Sequence, residues 1–171
     1  MQFTPDQAKG LAMFLAGSID TEQKTTSKVI AAIPHQNLDY RPDPKSKTAL
    51  ELAAHIAQTD IWFLDSLLKG EFGREEGPAV PATSGAEIAA WYDQNYAALA
   101  PKVAALPGDF FAKNLQFYHF NLPAVMYLSF LMNHMIHHRG QLSTYLRAMG
   151  GKCPSIYGGS ADEPFDMSAS A

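Results

Sequence analysis

The sequence predicts an all-α protein, a four-helix bundle with long connections, on three observations. Three boxes of the S/T-x-x-E/Q kind (Thr4–Gln7, Thr48–Glu51 and Ser84–Glu87) each stand ahead of a stretch with helical apolar period. No segment sustains the strict alternation of a half-buried strand. Loops of about 10–17 residues part the helical stretches, long enough for the crossover connections that some bundles use. The chain has 171 residues, 47% hydrophobic and 18% charged, which suits one core and a single domain over residues 1–171.

The first helix opens at Thr4-Pro5, where Thr caps free amides and Pro fits the first turn. Leu11, Leu15, Ile19, Val29, Ile30 and Ile33 form its apolar face, and Pro34 ends it. Gly10 and Gly17 weaken it, so bundle contacts must supply most of its stability. Residues 35–47, with Pro42 and Pro44, read as a loop. The second helix runs from the Thr48 box to Lys69, with Gly70 as its stop and a wide apolar face from Leu50 to Leu68.

Residues 71–82 are a second loop. The third helix extends from the Ser84 box to Ala105, and Pro101 should kink it or begin a separate short turn. Residues 107–121 hold Phe110, Phe111, Phe117, Tyr118 and Phe120, and the expectation is a short extended or irregular segment. The fourth helix runs from near Pro123 to Met149, closed by Gly150-Gly151. The tail from Lys152 reads as structured to Pro164 and frayed beyond it.

Composition narrows the function. Thirteen Lys+Arg against 17 Asp+Glu give a net charge of -4 and a pI near 5.8, with no overall basic surface for a phosphate backbone. Nucleic acid is therefore not an expected partner. The lone Cys153 cannot close an intrachain disulfide, which fits a reducing compartment. The N-terminus lacks a signal-peptide pattern, and the apolar stretch from Leu122 to Met132 falls well short of the roughly 20 residues a bilayer needs. The expectation is a cytoplasmic protein with no membrane partner.

Six histidines remain to be explained, three of them in Asn133-His134-Met135-Ile136-His137-His138-Arg139-Gly140-Gln141. His134 and His138, four residues apart, stack on one side of a helix and can reach one metal ion. At about 100° per residue, the apolar seam of this helix centres roughly 35° from His138, 75° from His134 and 135° from His137. That points His138 inward, places His134 at the core's edge and turns His137 to the surface. Two ligands do not hold a metal tightly. His55 sits on the second helix beside Thr59 and Trp62, and by itself reads as a hydrogen-bonded boundary histidine. His35 lies in a loop and His119 in the aromatic segment, so neither has a comparable helical platform.

Leu52-Ala-Ala-His55-Ile-Ala, followed late in the chain by His134-x-x-x-His138-Arg139-Gly140-Gln141, resembles the DinB/YfiT-like superfamily of metal-dependent four-helix-bundle proteins. The tail Met149-Gly-Gly-Lys-Cys-Pro-Ser-Ile-Tyr-Gly-Gly-Ser-Ala-Asp-Glu163 is similar to the ending of one DinB branch. The resemblance implies a bundle, often dimeric, in which His55, His134 and His138 bind a divalent metal. The ligand type favours zinc or nickel, with iron, manganese or copper also open. Some members of the superfamily are transferases or isomerases that use a low-molecular-weight thiol such as bacillithiol, mycothiol or glutathione. The family name records induction by DNA damage, a stress response, and not DNA binding.

The expected function is thus a metal-dependent enzyme of the thiol-dependent transferase type, acting on a small electrophile, with a homodimer as the expected assembly. One alternative is a metal-dependent hydrolase, weakened because Met135 and Ile136 occupy the inner positions where H-E-x-x-H would carry its Glu. The other is a non-catalytic, stress-related bundle binding a metal or ligand. Arg139 reads mainly as a structural ion-pair residue and Gly140 as a point of close backbone contact. Gln141 is open between a bond to a ligand imidazole and an interhelical contact.

Overall fold

The computed structural model describes residues 2–73, 77–81 and 83–164. Its elements in chain order are α1 (Pro5–Ala31), α2 (Ala49–Lys69), α3 (Gly85–Ala105), α4 (Gly108–Ala112), β1 (Asn114–Phe117), β2 (Phe120–Pro123) and α5 (Ala124–Ala148). The four long helices are those the capping boxes and periodicity predict. Thr4 and Thr48 each form a complete capping box, the Thr oxygen taking the amide three residues on and that residue's side chain returning to the Thr amide. Ser84 caps α3 through the Glu87 amide only.

α1 packs against α5 and α3, and α2 packs against the same two helices, so α2 and α5 are direct neighbours around the core. The predicted seam of α5 is buried throughout, from Leu128 to Met149. α3 enters against α1 at Gly85, where any Cβ would run into the Ile30 carbonyl and the Ile33 side chain. No helix among the described residues is long and apolar enough to cross a membrane.

Four expectations are corrected. Pro101 does not begin a separate turn, because α3 continues through it to Ala105. The aromatic segment is extended over β1 and β2, as expected, paired as an antiparallel hairpin with Asn114 opposite Pro123 and Phe117 opposite Phe120, and the departure is the short helix α4 ahead of it. Neither piece is long enough to show a period in sequence. The Tyr127 hydroxyl fixes this hairpin to α5, donating to the Leu115 carbonyl at 2.7 Å and accepting the Leu122 amide at 3.3 Å. Gly140 is not a close contact, because a Cβ there meets nothing within 4 Å. An alanine at this exposed helical position should therefore raise stability by about 0.5–1 kcal/mol, read as a higher denaturation midpoint. The fourth correction concerns His138 and is given with the site.

The tail is tied down as far as Pro164. Arg147 pairs with Asp162 at 2.8 Å and Lys28 with Glu163 at 2.6 Å, joining α5 and α1 to the same short stretch. The fraying expected after Pro164 lies outside the described residues, as do residues 74–76 and 82 of the second loop.

Candidate metal centre

α2 and α5 each contribute to one cluster. His55 from α2 and His134 and His138 from α5 each offer a nitrogen, and these nitrogens lie within 4.8 Å of one another. The His55 and His134 Nε2 atoms are 3.2 Å apart. Two imidazole nitrogens bound to one tetrahedral zinc at 2.0–2.1 Å would stand roughly 3.3 Å apart, so the pair already has the spacing of a ligand edge.

The orientation of the rings is fixed from behind. His55 Nδ1 lies 3.3 Å from the Thr59 hydroxyl, one turn further along α2. His134 Nδ1 donates to Asp60 Oδ1 at 2.9 Å, and His138 Nδ1 donates to Gln141 Oε1 at 2.6 Å. With every Nδ1 turned to a protein oxygen, each Nε2 is left to face its neighbours. A metal-binding histidine characteristically donates its other N–H to a carboxylate or carbonyl, and His134 and His138 follow that pattern, while His55 has a hydroxyl in that place.

Asp60 is the residue that sequence reasoning missed. It is fully buried and takes a second bond, 2.7 Å, from the hydroxyl of the equally buried Tyr92 on α3. Burial pushes its carboxyl above the usual range while the His134 and Tyr92 bonds pull it back, and burial holds the Tyr92 phenol well above its ordinary value. Tyr92 is thereby kept as a donor. A signal was present in the sequence: an acid at the position between Ala57 and Leu64 on the apolar face of α2 has no reason to be there without a partner. Replacing Asp60 by Asn keeps the shape but offers an amide that can turn its NH₂ toward His134. We expect a 10–100-fold loss of zinc affinity, measured by competition with a chelating dye.

His138 does not point into the core as its helical angle suggests. It is half-buried, with Nδ1 on the exposed Gln141, whereas the next residue, Arg139, is 1% exposed. The angle gives direction about the axis only; depth depends also on what closes over the residue, and His138 is only partly covered, with His55 of α2 against its ring. Gln141 takes the role of a partner to an imidazole. Arg139 turns the other way, to Glu22 on α1. His137 is exposed, as its angle predicts. His35 is an exposed loop residue and His119 sits at the hairpin turn with its ring 4.0 Å from that of Phe120; neither joins the cluster.

Burial lowers the pKa of His55 to about 4, and the neighbouring His134 and His138 add to this; burial also lowers His138. The sign for stability follows. Between pH 6.5 and 4 the unfolded chain protonates His55 and the folded one does not, so stability falls as pH drops through that window. In chelator-treated protein the denaturation midpoint should be lower at pH 5 than at pH 7, and His55→Gln should flatten that slope.

Beside the histidines lies an open cavity of about 1190 Å³, lined in part by His55, His134, Trp62, Phe63, Phe117 and Phe130. Fold and site together define a helical bundle with a three-histidine centre that could hold a metal ion at the edge of a large pocket. The chain belongs to the DinB family, whose model matches residues 8–165. Among solved structures it is similar to a DinB-like protein from Bacillus cereus ATCC 10987, at 24% identity and a TM-score of 0.71, covering 84% of this chain and 95% of that one. It is also similar to a DinB-like protein from Bacillus subtilis, at 20% identity and a TM-score of 0.66, covering 81% and 93%. At these identities the likeness is one of fold. No curated protein matches the chain.

Proposed function

We propose that this DinB family member is a metal-dependent enzyme of the thiol-dependent transferase type, acting on a small electrophile. His55, His134 and His138 would hold the divalent ion, with zinc or nickel favoured by ligand type. One observation carries the reading: three imidazoles with Nδ1 engaged and Nε2 turned together, two of them lining an open cavity. Structural sites close four protein ligands around the ion, whereas three ligands facing a cavity leave room for a small molecule. A divalent ion bound there would lower the pKa of a thiol or water that reached it.

The carboxylate bonded to His134 is not free to activate water. Both oxygens of Asp60 are engaged, and Glu51 accepts the Thr48 amide at 2.7 Å as part of the α2 cap. Neither is placed as a general base for hydrolysis. The thiol itself, of the bacillithiol, mycothiol or glutathione kind, rests on the family resemblance.

The test loads the protein with zinc or nickel and supplies each thiol with 1-chloro-2,4-dinitrobenzene. The thiol sulfur bonds to the ring carbon, chloride leaves and the thiol proton passes to solvent. Turnover should require both metal and thiol and be lost in His134→Ala. Metal-loaded protein without thiol-dependent turnover would overturn the reading, and thiol-independent ester cleavage would replace it with the hydrolase.

A further inference from the structure

The cavity beside the histidines has an aromatic wall whose rings back onto the core and turn their remaining surface to the cavity. The rings of Trp62, Phe117 and Phe130 run in sequence along it, with centroids 5.7 Å apart for the first pair and 6.5 Å for the second. Tyr118 extends this wall to the cavity mouth, its ring 4.8 Å from that of Phe117. It is 82% exposed, and its backbone has φ +49°, in the left-handed region that a side chain disfavours and glycine adopts freely. A large aromatic residue at a turn position that suits glycine, giving up almost none of its surface to the fold, does not serve stability. Residues held in sparsely populated backbone conformations cluster at ligand clamps, which makes Tyr118 a candidate contact for a bound molecule.

The charges along the cavity oppose one another. Lys47 stands against Asp39 and Glu51, with the Glu51 carboxylate already engaged by the Thr48 amide. Selection by charge is therefore weak, and the ring faces are the distinctive surface. Ring faces and edges favour another ring over an aliphatic body of equal size through offset and edge-to-face contacts.

We propose that this cavity takes a small, uncharged aromatic molecule, held against the wall of Trp62, Phe117 and Phe130 with Tyr118 at its mouth. This deepens the transferase reading by naming the class of the electrophile, and only the assignment of a reacting end toward His55 and His134 rests on that reading.

The experiment uses metal-free protein, so that ring binding is measured apart from metal binding. The chain has two tryptophans, and a Trp91→Phe background leaves Trp62 as the single 5-fluorotryptophan reporter. 1-Naphthol is titrated by calorimetry and ¹⁹F NMR against decahydro-1-naphthol, its saturated counterpart. We expect one molecule of 1-naphthol per chain, a shift of the Trp62 resonance, and at least tenfold weaker binding of the saturated alcohol. Tyr118→Gly should weaken 1-naphthol at least tenfold while folding at least as stably as its parent. Equal affinity for the two alcohols, no shift at Trp62, or unchanged binding in Tyr118→Gly would each overturn the proposal. Zinc binding by the same protein is scored separately, so failure of the metal reading and failure of this one are distinct results.

Discussion

His134→Ala should abolish stoichiometric binding of a divalent ion, while His137→Ala, three residues on, should leave it intact. His134 is the best-anchored of the three histidines, because it alone is held by a buried carboxylate, Asp60, that is itself held by Tyr92. Removing it takes away one of three ligands and the only ring oriented by an anion. His137 points to solvent and lies outside the cluster. The measurement is metal content of the purified variants together with zinc titration. Retention of one tightly held ion in His134→Ala would end the three-histidine assignment. His55→Ala provides the independent check from the opposite helix, since it leaves α5 untouched.

The second large effect concerns stability. Arg139→Ala should cost about 3–5 kcal/mol, because it breaks a buried ion pair from one side. The guanidinium bonds the Glu22 carboxylate, the Glu22 carbonyl and the Thr26 hydroxyl, all on α1, and also donates to the Tyr157 hydroxyl of the tail. Tyr157 closes the ring by donating to Glu22 at 2.9 Å, and its aromatic face lies 5.0 Å from the guanidinium carbon. Truncation leaves Glu22, with a side chain only 14% exposed, without its counter-charge and with the Tyr157 hydroxyl as its remaining partner in this ring. For a protein of this size the loss corresponds to a drop of about 10 °C in the thermal midpoint. Arg139→Lys keeps the charge but not the planar fork, and should recover only part of it. Full recovery by lysine would show that charge alone matters at this position.

Much of the fold was legible because its signals are local. A capping box, a stop glycine and an apolar stripe are each written within a few residues, and the four long helices follow from them. The hairpin was not legible, since four-residue strands are too short to establish a period and their turn uses Tyr118 where glycine or asparagine would announce it. At the site, the i, i+4 spacing of His134 and His138 pointed to a shared face, and the resemblance added His55. The supporting shell was harder to see. Asp60, Tyr92 and Thr59 reach the histidines only through the way α2, α3 and α5 are set against one another, and no spacing in one helix encodes that. Arg139 shows the same limit, its partners lying more than a hundred residues away on α1 and beyond α5 in the tail.

The hairpin hung from Tyr127 divides labour within the molecule. The histidines stand on two long helices whose positions depend on the core, while Phe117 and Tyr118 ride at the far end of a ribbon that runs into α5 and is pinned to it by the Tyr127 hydroxyl. Changes at the ribbon's tip can therefore accumulate without displacing any histidine. Such an arrangement lets one inherited centre be retuned to new small molecules over evolutionary time, and it marks residues 117–120 as the place where a laboratory library should begin.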